Sequence, residues 1–316
     1  MATDIPAKLQ HICTHVLQHL ARHRSLSAAS TRPIPPLFVG VQGPQGSGKS
    51  YLSKRLKQIL SSPPHSLSVV VLSIDDLYLR HEGLVALARA HPQNALLKGR
   101  GQPGTHDIEL GTRILGQLKN INANGAGDVR LPMFEKSLHG GEGDRLHETV
   151  AVRGPVDVVV LEGWCLGFHP IPLNEIERRW KEPVQGLAED FFTARGFRKD
   201  DIVDVNERLK AYLPWWKYLN TFIQVKPDDA HPYVHIYKWR LQQEHNMKAT
   251  NGGKGMTDAQ VEAFIDRYIP GYVFFGDGVT KGLLQEDGTR QQPPWAGNGL
   301  QIQIDEEREV VETHVF

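Results

Sequence analysis

Residues 43–50 read GPQGSGKS, and no other stretch restricts the fold of this chain as much. Gly43, four residues, then Gly48, Lys49 and Ser50 satisfy the spacing G-x-x-x-x-G-K-[ST]. The apolar run LFVGVQ (37–42) precedes the loop and reads as a buried strand. The helical pattern KSYLSKRLKQIL follows it. Glycines let successive backbone N–H groups turn inward around phosphate oxygens, and the helix N-terminus adds the positive end of its dipole. Gly43, Pro44, Gln45, Gly46, Ser47, Gly48, Lys49 and Ser50 are therefore expected to hold ATP or another nucleoside triphosphate. Lys49 is placed for the β- and γ-phosphates, and Ser50 offers its hydroxyl to Mg²⁺.

Four more apolar runs look like buried strands: SVVVLSI (68–74), VDVVVLE (156–162), LNTFIQV (219–225) and LQIQID (300–305). Helical patterns lie between most of them, among them HDIELGTRILGQLKN, YVHIYKWRLQQEHNM and DAQVEAFIDRYI. Continuous apolar strands alternating with helices predict an α/β fold of three layers, a parallel sheet with helices on both faces. Residues 121–154 and 164–218 break the alternation, and insertions at strand C-termini are where such folds keep ligand sites. No internal repeat is present.

Ahead of the first run, Ile5, Leu9, Ile12, Val16, Leu17 and Leu20 recur at helical spacing. His11, His15, His19 and His23 recur every four residues on the same helix. Paired histidines can chelate a metal, but with no carboxylate or cysteine helper nearby they read as a polar face. SLSAASTRPIPP then reads as a linker. The chain divides on this reading into an N-terminal helix and linker (1–36) and one large domain (37–316), with insertions at about 99–154 and 164–218.

Composition narrows the partners. Lys plus Arg and Asp plus Glu are both 36, for a formal net charge of zero, which argues against general nucleic-acid binding. Cys13 and Cys165 make no disulfide framework and fit a reducing compartment. No apolar run approaches the length of a membrane span, and the start of the chain, with its Asp4, lacks a signal-peptide core. The expectation is a cytoplasmic protein with a small-molecule substrate. Its oligomeric state is open.

A phosphate-loop enzyme needs an acid to organise Mg²⁺ and, to phosphorylate a hydroxyl, a group to orient that hydroxyl. VVVLE ends in Glu162, an acid closing an apolar strand, and Glu162 is expected to hold the metal through water. SIDDLYL ends the second run. Asp75 leaves that strand directly and is the expected catalytic base, with Asp76 a lesser candidate. The competing reading is that the Asp pair caps the following turn. A second glycine-rich loop, GRGQPGTHD (99–107), lacks the phosphate-loop spacing. Its Arg100, Thr105, His106 and Asp107 precede an apolar helical pattern, so this loop caps a helix and can present Thr105, His106 or Asp107 to an acceptor. Trp164, just after Glu162, is a candidate wall of the acceptor pocket. Trp215 and Trp216 read as packing residues.

GPQGSGKS, SIDDLYL, GRGQPGTHD, LPMFEKSLHGGEGDR and LEGWCLGF occur in an order that resembles the D-glycerate 3-kinases of plants and fungi. These belong to the P-loop kinases that include pantothenate kinase, uridine kinase and phosphoribulokinase. YKWRLQQEHNM with GKGMTDAQVEAFIDRYIPGY is also similar, and the resemblance runs from about Phe38 to the C-terminus. It implies a central parallel sheet with the phosphate-loop strand in its middle, and phosphoryl transfer from ATP to the 3-hydroxyl of D-glycerate. It implies a P-loop kinase domain over 37–316, that Asp75 acts as base, that Glu162 belongs to the metal site, and that Arg240 sits on a lid (about 231–256) over the phosphates. The stretch LPMFEKSLHGGEGDR places Lys136, His139 and Arg145 around three glycines. By composition alone this is a solvated charged loop. Under the resemblance it becomes the site for the glycerate carboxylate. The rival readings are a kinase for a larger hydroxylated acceptor, such as pantothenate or a nucleoside, and an ATP-binding protein without chemistry.

Overall fold

The computed structural model describes residues 6–27, 33–250, 252–253 and 255–316. Ile5 and Asp4, linker residues 28–32, and two positions of the expected lid region, 251 and 254, lie outside them. In chain order the strands are β1 (Leu37–Gln42), β2 (Val69–Ser73), β3 (Val129–Glu135), β4 (Asp144–Val152), β5 (Val158–Gly163), β6 (Thr221–Pro227), β7 (Leu283–Leu284), β8 (Arg290–Gln291), β9 (Gly299–Ile304) and β10 (Val310–Val315). The helices are α1 (Ala7–Ser27), α2 (Lys49–Ser61), α3 (His81–Ala90), α4 (Ile108–Lys119), α5 (Leu173–Lys181), α6 (Phe191–Ala194), α7 (Lys199–Leu209), α8 (Leu213–Trp216), α9 (Val234–Thr250), α10 (Asp258–Asp266), α11 (Ile269–Phe275) and α12 (Gly278–Lys281).

The five apolar runs become five strands of a six-stranded sheet that β10 completes, in the order β10-β9-β6-β1-β5-β2. β1 lies between β5 and β6 and is parallel to both. β2 and β9 extend the parallel pairing, and only β10 runs antiparallel at one edge. Successive residues point to opposite faces. Phe38, Leu72, Val159, Leu161 and Phe222 meet α4, α7, α8 and α11 in one core. Leu37, Val39, Val41, Val158, Val160 and Ile223 meet α2 and Trp239 of α9 in the other. Both faces are covered, so these strands carry no polar alternation.

The first helix belongs to that second core. Leu9, Ile12, Val16 and Leu20 pack with β1 and α2. α1 is therefore a layer of the same body, and a boundary at residue 36 divides one core in two. The histidine face is likewise corrected. His15 is buried, and its Nε2–H donates to Thr221 Oγ1 at 2.7 Å, whose own hydroxyl donates to Asn298 O. Burial, with His19 alongside, lowers the His15 pKa to about 4. His23 bonds Pro35 O. Among the described residues this face forms no three-ligand metal group.

The insertion over 121–154 is an antiparallel hairpin, β3 with β4. It docks on the end of β2, where the Phe134 N–H donates to Asp76 Oδ1 at 3.1 Å. The insertion over 164–218 supplies α5 to α8, and it buries Trp215 and Trp216 in the first core. No helix among the described residues is long and apolar enough to cross a membrane.

If α1 is part of the core, Ile12→Ala should lower unfolding free energy by about 2–5 kcal/mol, as cavity-forming substitutions do. Urea unfolding of the two proteins measures this. A shift within the scatter of ordinary surface substitutions would mean that α1 is an appendage.

Candidate active site

The loop after β1 is built by backbone conformation. Gly46 and Gly48 have φ of +76° and +88°. At Gly46 a Cβ would come within 2.6 Å of the backbone and Cβ of Trp239, so only glycine lets α9 rest on the loop. Ser47 closes the turn by donating to Pro44 O at 2.8 Å, and Tyr272 donates to Gln45 Oε1 at 2.7 Å. Lys49 and Ser50 open α2, whose N-terminus faces the phosphates' place. Arg308, in the turn between β9 and β10, was not legible as part of this site. Its Nε donates to Gly46 O at 2.8 Å and its Nη1 to Gln242 Oε1 of α9 at 2.7 Å. No local sequence signal marks it, because it arrives from the far end of the chain.

Beside the loop, Ser50 Oγ donates to Glu162 Oε1 at 2.9 Å. Glu162 is 4% exposed, and its Oε2 is buried without a partner. A buried carboxylate oxygen without a hydrogen bond is costly. A hydroxyl plus a carboxylate with one oxygen uncommitted is a donor set that suits a hard divalent cation.

At the end of neighbouring β2, a short 3-10 turn carries Asp75 and Asp76. Asp75 Oδ2 pairs with Lys136 Nζ at 2.6 Å. Burial would raise the Asp75 pKa, but Lys136 and Lys49 outweigh it and hold the carboxyl well below its usual range. The same pair raises the Lys136 pKa. Asp76 goes the other way. Burial pushes it up to about 6, against the Phe134 N–H bond and with Asp75 and Glu162 nearby. Two adjacent carboxyls are thus driven apart, one firmly ionised and one not. Asp76 also joins the hairpin to the sheet, and the turn is capped by Ser73, whose hydroxyl oxygen accepts from the Asp75 N–H, not by the Asp pair.

The second glycine-rich loop lies beside this turn, and it corrects several expectations. Thr105 is fully buried; its hydroxyl donates to Gln102 O and accepts from the Gly101 N–H, so it stitches its own loop. Trp164 is 2% exposed and donates to Gly101 O at 2.9 Å. It sits among Phe168, Tyr268 and Tyr272 and is a packing residue, not a pocket wall. At Gly101 (φ +140°) a Cβ would lie 2.6 Å from the Tyr268 hydroxyl. Asp107 caps α4, its Oδ1 accepting from the Leu110 N–H at 3.0 Å. Its Oδ2 accepts from Arg145 Nη2 at 3.0 Å, and Arg145 also donates to Tyr78 O. Arg145 thus ties the hairpin to the second glycine-rich loop.

His106 lies close enough to Asp75 to feel its charge. It stacks on Tyr78 with ring centroids 4.4 Å apart. Tyr212 OH lies 2.6 Å from His106 Nδ1 and accepts from the Gly104 N–H at 2.8 Å. With its oxygen so engaged, the Tyr212 proton goes to Nδ1, which assigns the imidazole proton to Nε2. Nε2 is buried without a partner. Tyr212 carried no sequence signal, since it belongs to the irregular insertion.

His139 lies at the exposed hairpin tip. It stacks on His81 at 3.7 Å and pairs with Asp144 at 3.4 Å. Arg100 reaches the same tip, donating to Gly141 O at 2.5 Å and to Glu142 O. Both hold the tip against the body. On α9, Arg240 pairs with buried Glu244 at 2.7 Å and lies over Phe264, while its backbone borders Gly46.

The chain is similar to a solved D-glycerate 3-kinase from Cryptococcus neoformans var. grubii, with 40% identity, TM-score 0.88, and 99% and 100% of the two chains covered. It is 38% identical over 286 residues to a probable ATP-dependent kinase of Saccharomyces cerevisiae, covering 88% of each chain. It is 33% identical to the chloroplastic D-glycerate 3-kinase of Arabidopsis thaliana over 87% of this chain and 54% of that one. No family model matches.

Burial lowers the His106 pKa to about 4, against the pull of Asp75. The unfolded chain binds this proton near 6.5. Between those values the unfolded state holds more protons, so His106 makes stability fall as pH drops through the window. Asp76 acts in the opposite sense, so the test compares wild type with His106→Gln. The variant should lose less stability than wild type between pH 6.5 and about 4 in urea unfolding. Equal losses would mean that His106 is not buried in neutral form.

Proposed function

As the chain belongs to the D-glycerate 3-kinase family of P-loop kinases, we propose that D-glycerate is its acceptor and that the product is 3-phospho-D-glycerate. It is an ATP-dependent kinase, a phosphotransferase to an alcohol group, and its acceptor side supports glycerate as the substrate. The observation that carries the reading is the 2.6 Å pair between Asp75 and Lys136 at the end of β2.

In this pair a base and a carboxylate clamp neutralise each other. Lys136 is drawn to whichever carboxylate is best placed. A bound glycerate carboxylate competes for the ammonium, and its capture frees Asp75. Burial, the largest influence on Asp75, then raises its proton affinity. Asp75 orients the acceptor hydroxyl and accepts its proton as the hydroxyl attacks the γ-phosphorus in line. An acceptor without an anionic group leaves the pair intact and the base weak. His106 Nε2–H serves as a donor to a glycerate oxygen. ATP lies on Gly43–Ser50, and Lys49 and Arg240 stabilise the charge spread over the transferred group. Ser50 and Glu162, the latter through water, are the residues that would hold Mg²⁺, which neutralises phosphate charge.

Asp75→Asn should lower kcat by on the order of 10²–10⁴-fold, while the Kd for ATP stays near the wild-type value. Lys49→Ala should weaken both ATP binding and rate. Near-normal turnover in Asp75→Asn would rule out the base assignment. For the substrate, ADP release across D-glycerate, L-glycerate, pantothenate and uridine, with the product identified as the 3- or 2-phosphate, decides the acceptor. A faster reaction with pantothenate or uridine would overturn glycerate.

A further inference from the structure

The turn into α9 carries a cluster that phosphoryl transfer does not use. β6 ends at Pro227, and the chain passes through Asp228 and His231 before α9 begins at Val234. Asp228 Oδ1 accepts from the backbone N–H groups of Ala230 and His231, each at 3.0 Å. The Asp228 N–H donates to Ile304 O on β9 at 3.0 Å. The carboxylate is thus fixed at the ends of two neighbouring strands.

Two imidazoles close on it. His231 Nδ1 lies 3.0 Å from Oδ1, and His235 Nε2 lies 3.0 Å from Oδ2. The side chains of His235 and Asp228 are 6% and 17% exposed, and that of His231 is open at 57%. One ligand atom from each residue lies within 4.8 Å of the others, and no other group of three such residues forms among the described residues. The second His235 nitrogen, Nδ1, is buried without a partner, so what sits at Nε2 sets the tautomer. Nearby lysines do not compete for the carboxylate: Lys226 pairs with Asp229 at 2.5 Å and Lys238 with Glu306 at 2.6 Å.

We propose that Asp228, His231 and His235 bind a divalent transition-metal ion of the zinc class. Two imidazole nitrogens and one carboxylate oxygen, with the open fourth position toward solvent for water, form a tetrahedral borderline donor set. Magnesium prefers oxygen ligands in an octahedron, so this site is chemically separate from the one at Ser50 and Glu162. The ion ties the end of β6 to the first turn of α9, the helix that rests on Gly46. It therefore braces that helix from its base.

Titrating the dialysed full-length chain with Zn²⁺ by calorimetry tests the proposal, with Co²⁺ absorption reporting tetrahedral geometry. One equivalent should bind. Affinity should fall by at least about 100-fold in Asp228→Asn and in His235→Gln, since each removes a direct ligand. His231→Gln, at an exposed position that does not endanger folding, should also weaken binding. Glu162→Gln should bind Zn²⁺ as wild type does. Absence of one-to-one binding, unchanged affinity in His231→Gln and Asp228→Asn, or loss of the site in Glu162→Gln would each overturn the proposal.

Discussion

Three carboxylates at the ends of two adjacent strands set the terms for everything around them. Burial raises the proton affinity of Asp76, and Asp75 and Glu162 stand close enough to add to it. Each is handled differently. Asp75 is kept ionised by two ammonium groups. Asp76 accepts a backbone N–H from the hairpin. Glu162 accepts one hydroxyl and keeps one oxygen uncommitted. The hairpin of β3 and β4 supplies two of these contacts, Lys136 and the Phe134 N–H, so its position is bound to the charge state of the site.

The second glycine-rich loop serves the same end by indirect means. Thr105, Trp164 and the glycines brace its backbone. Asp107 and Arg145 lock the helix start to the hairpin. What this scaffold presents is a single imidazole, His106, whose proton position is settled by Tyr212 and Gly104. On the nucleotide side, α9 lies against Gly46, and Arg308 ties loop and helix together through Gly46 O and Gln242. The backbone carbonyl of that arginine also accepts from Lys8 of α1, so the first helix and the last hairpin meet at the phosphate loop.

Strands β1, β2 and β5 were legible because each is apolar over almost its whole length, and the phosphate loop because its spacing has few other uses. Asp75 and Glu162 were legible because a strand end followed by an acid is a local pattern. Thr105, Trp164 and Arg145 have partners that the sequence does not show, for one reason: residue type shows that a side chain can bind a ligand, not which neighbour it meets. Arg145 finds Asp107, 38 residues away in sequence, and that pairing leaves no trace in either segment. His15 was misread in the same way, since its partner Thr221 lies 206 residues on. Arg308 and Tyr212 were missed because nothing local distinguishes them.

Sequence by itself determined the three-layer α/β fold, the place of the phosphate loop and the acids facing it, because backbone geometry and hydrophobic periodicity are properties of neighbouring residues. Tertiary structure alone decided which charges are paired, which carboxyl stays ionised and which imidazole nitrogen carries a proton. Those outcomes depend on distances between segments and on how much water is excluded, and both exist only once the chain has closed around them.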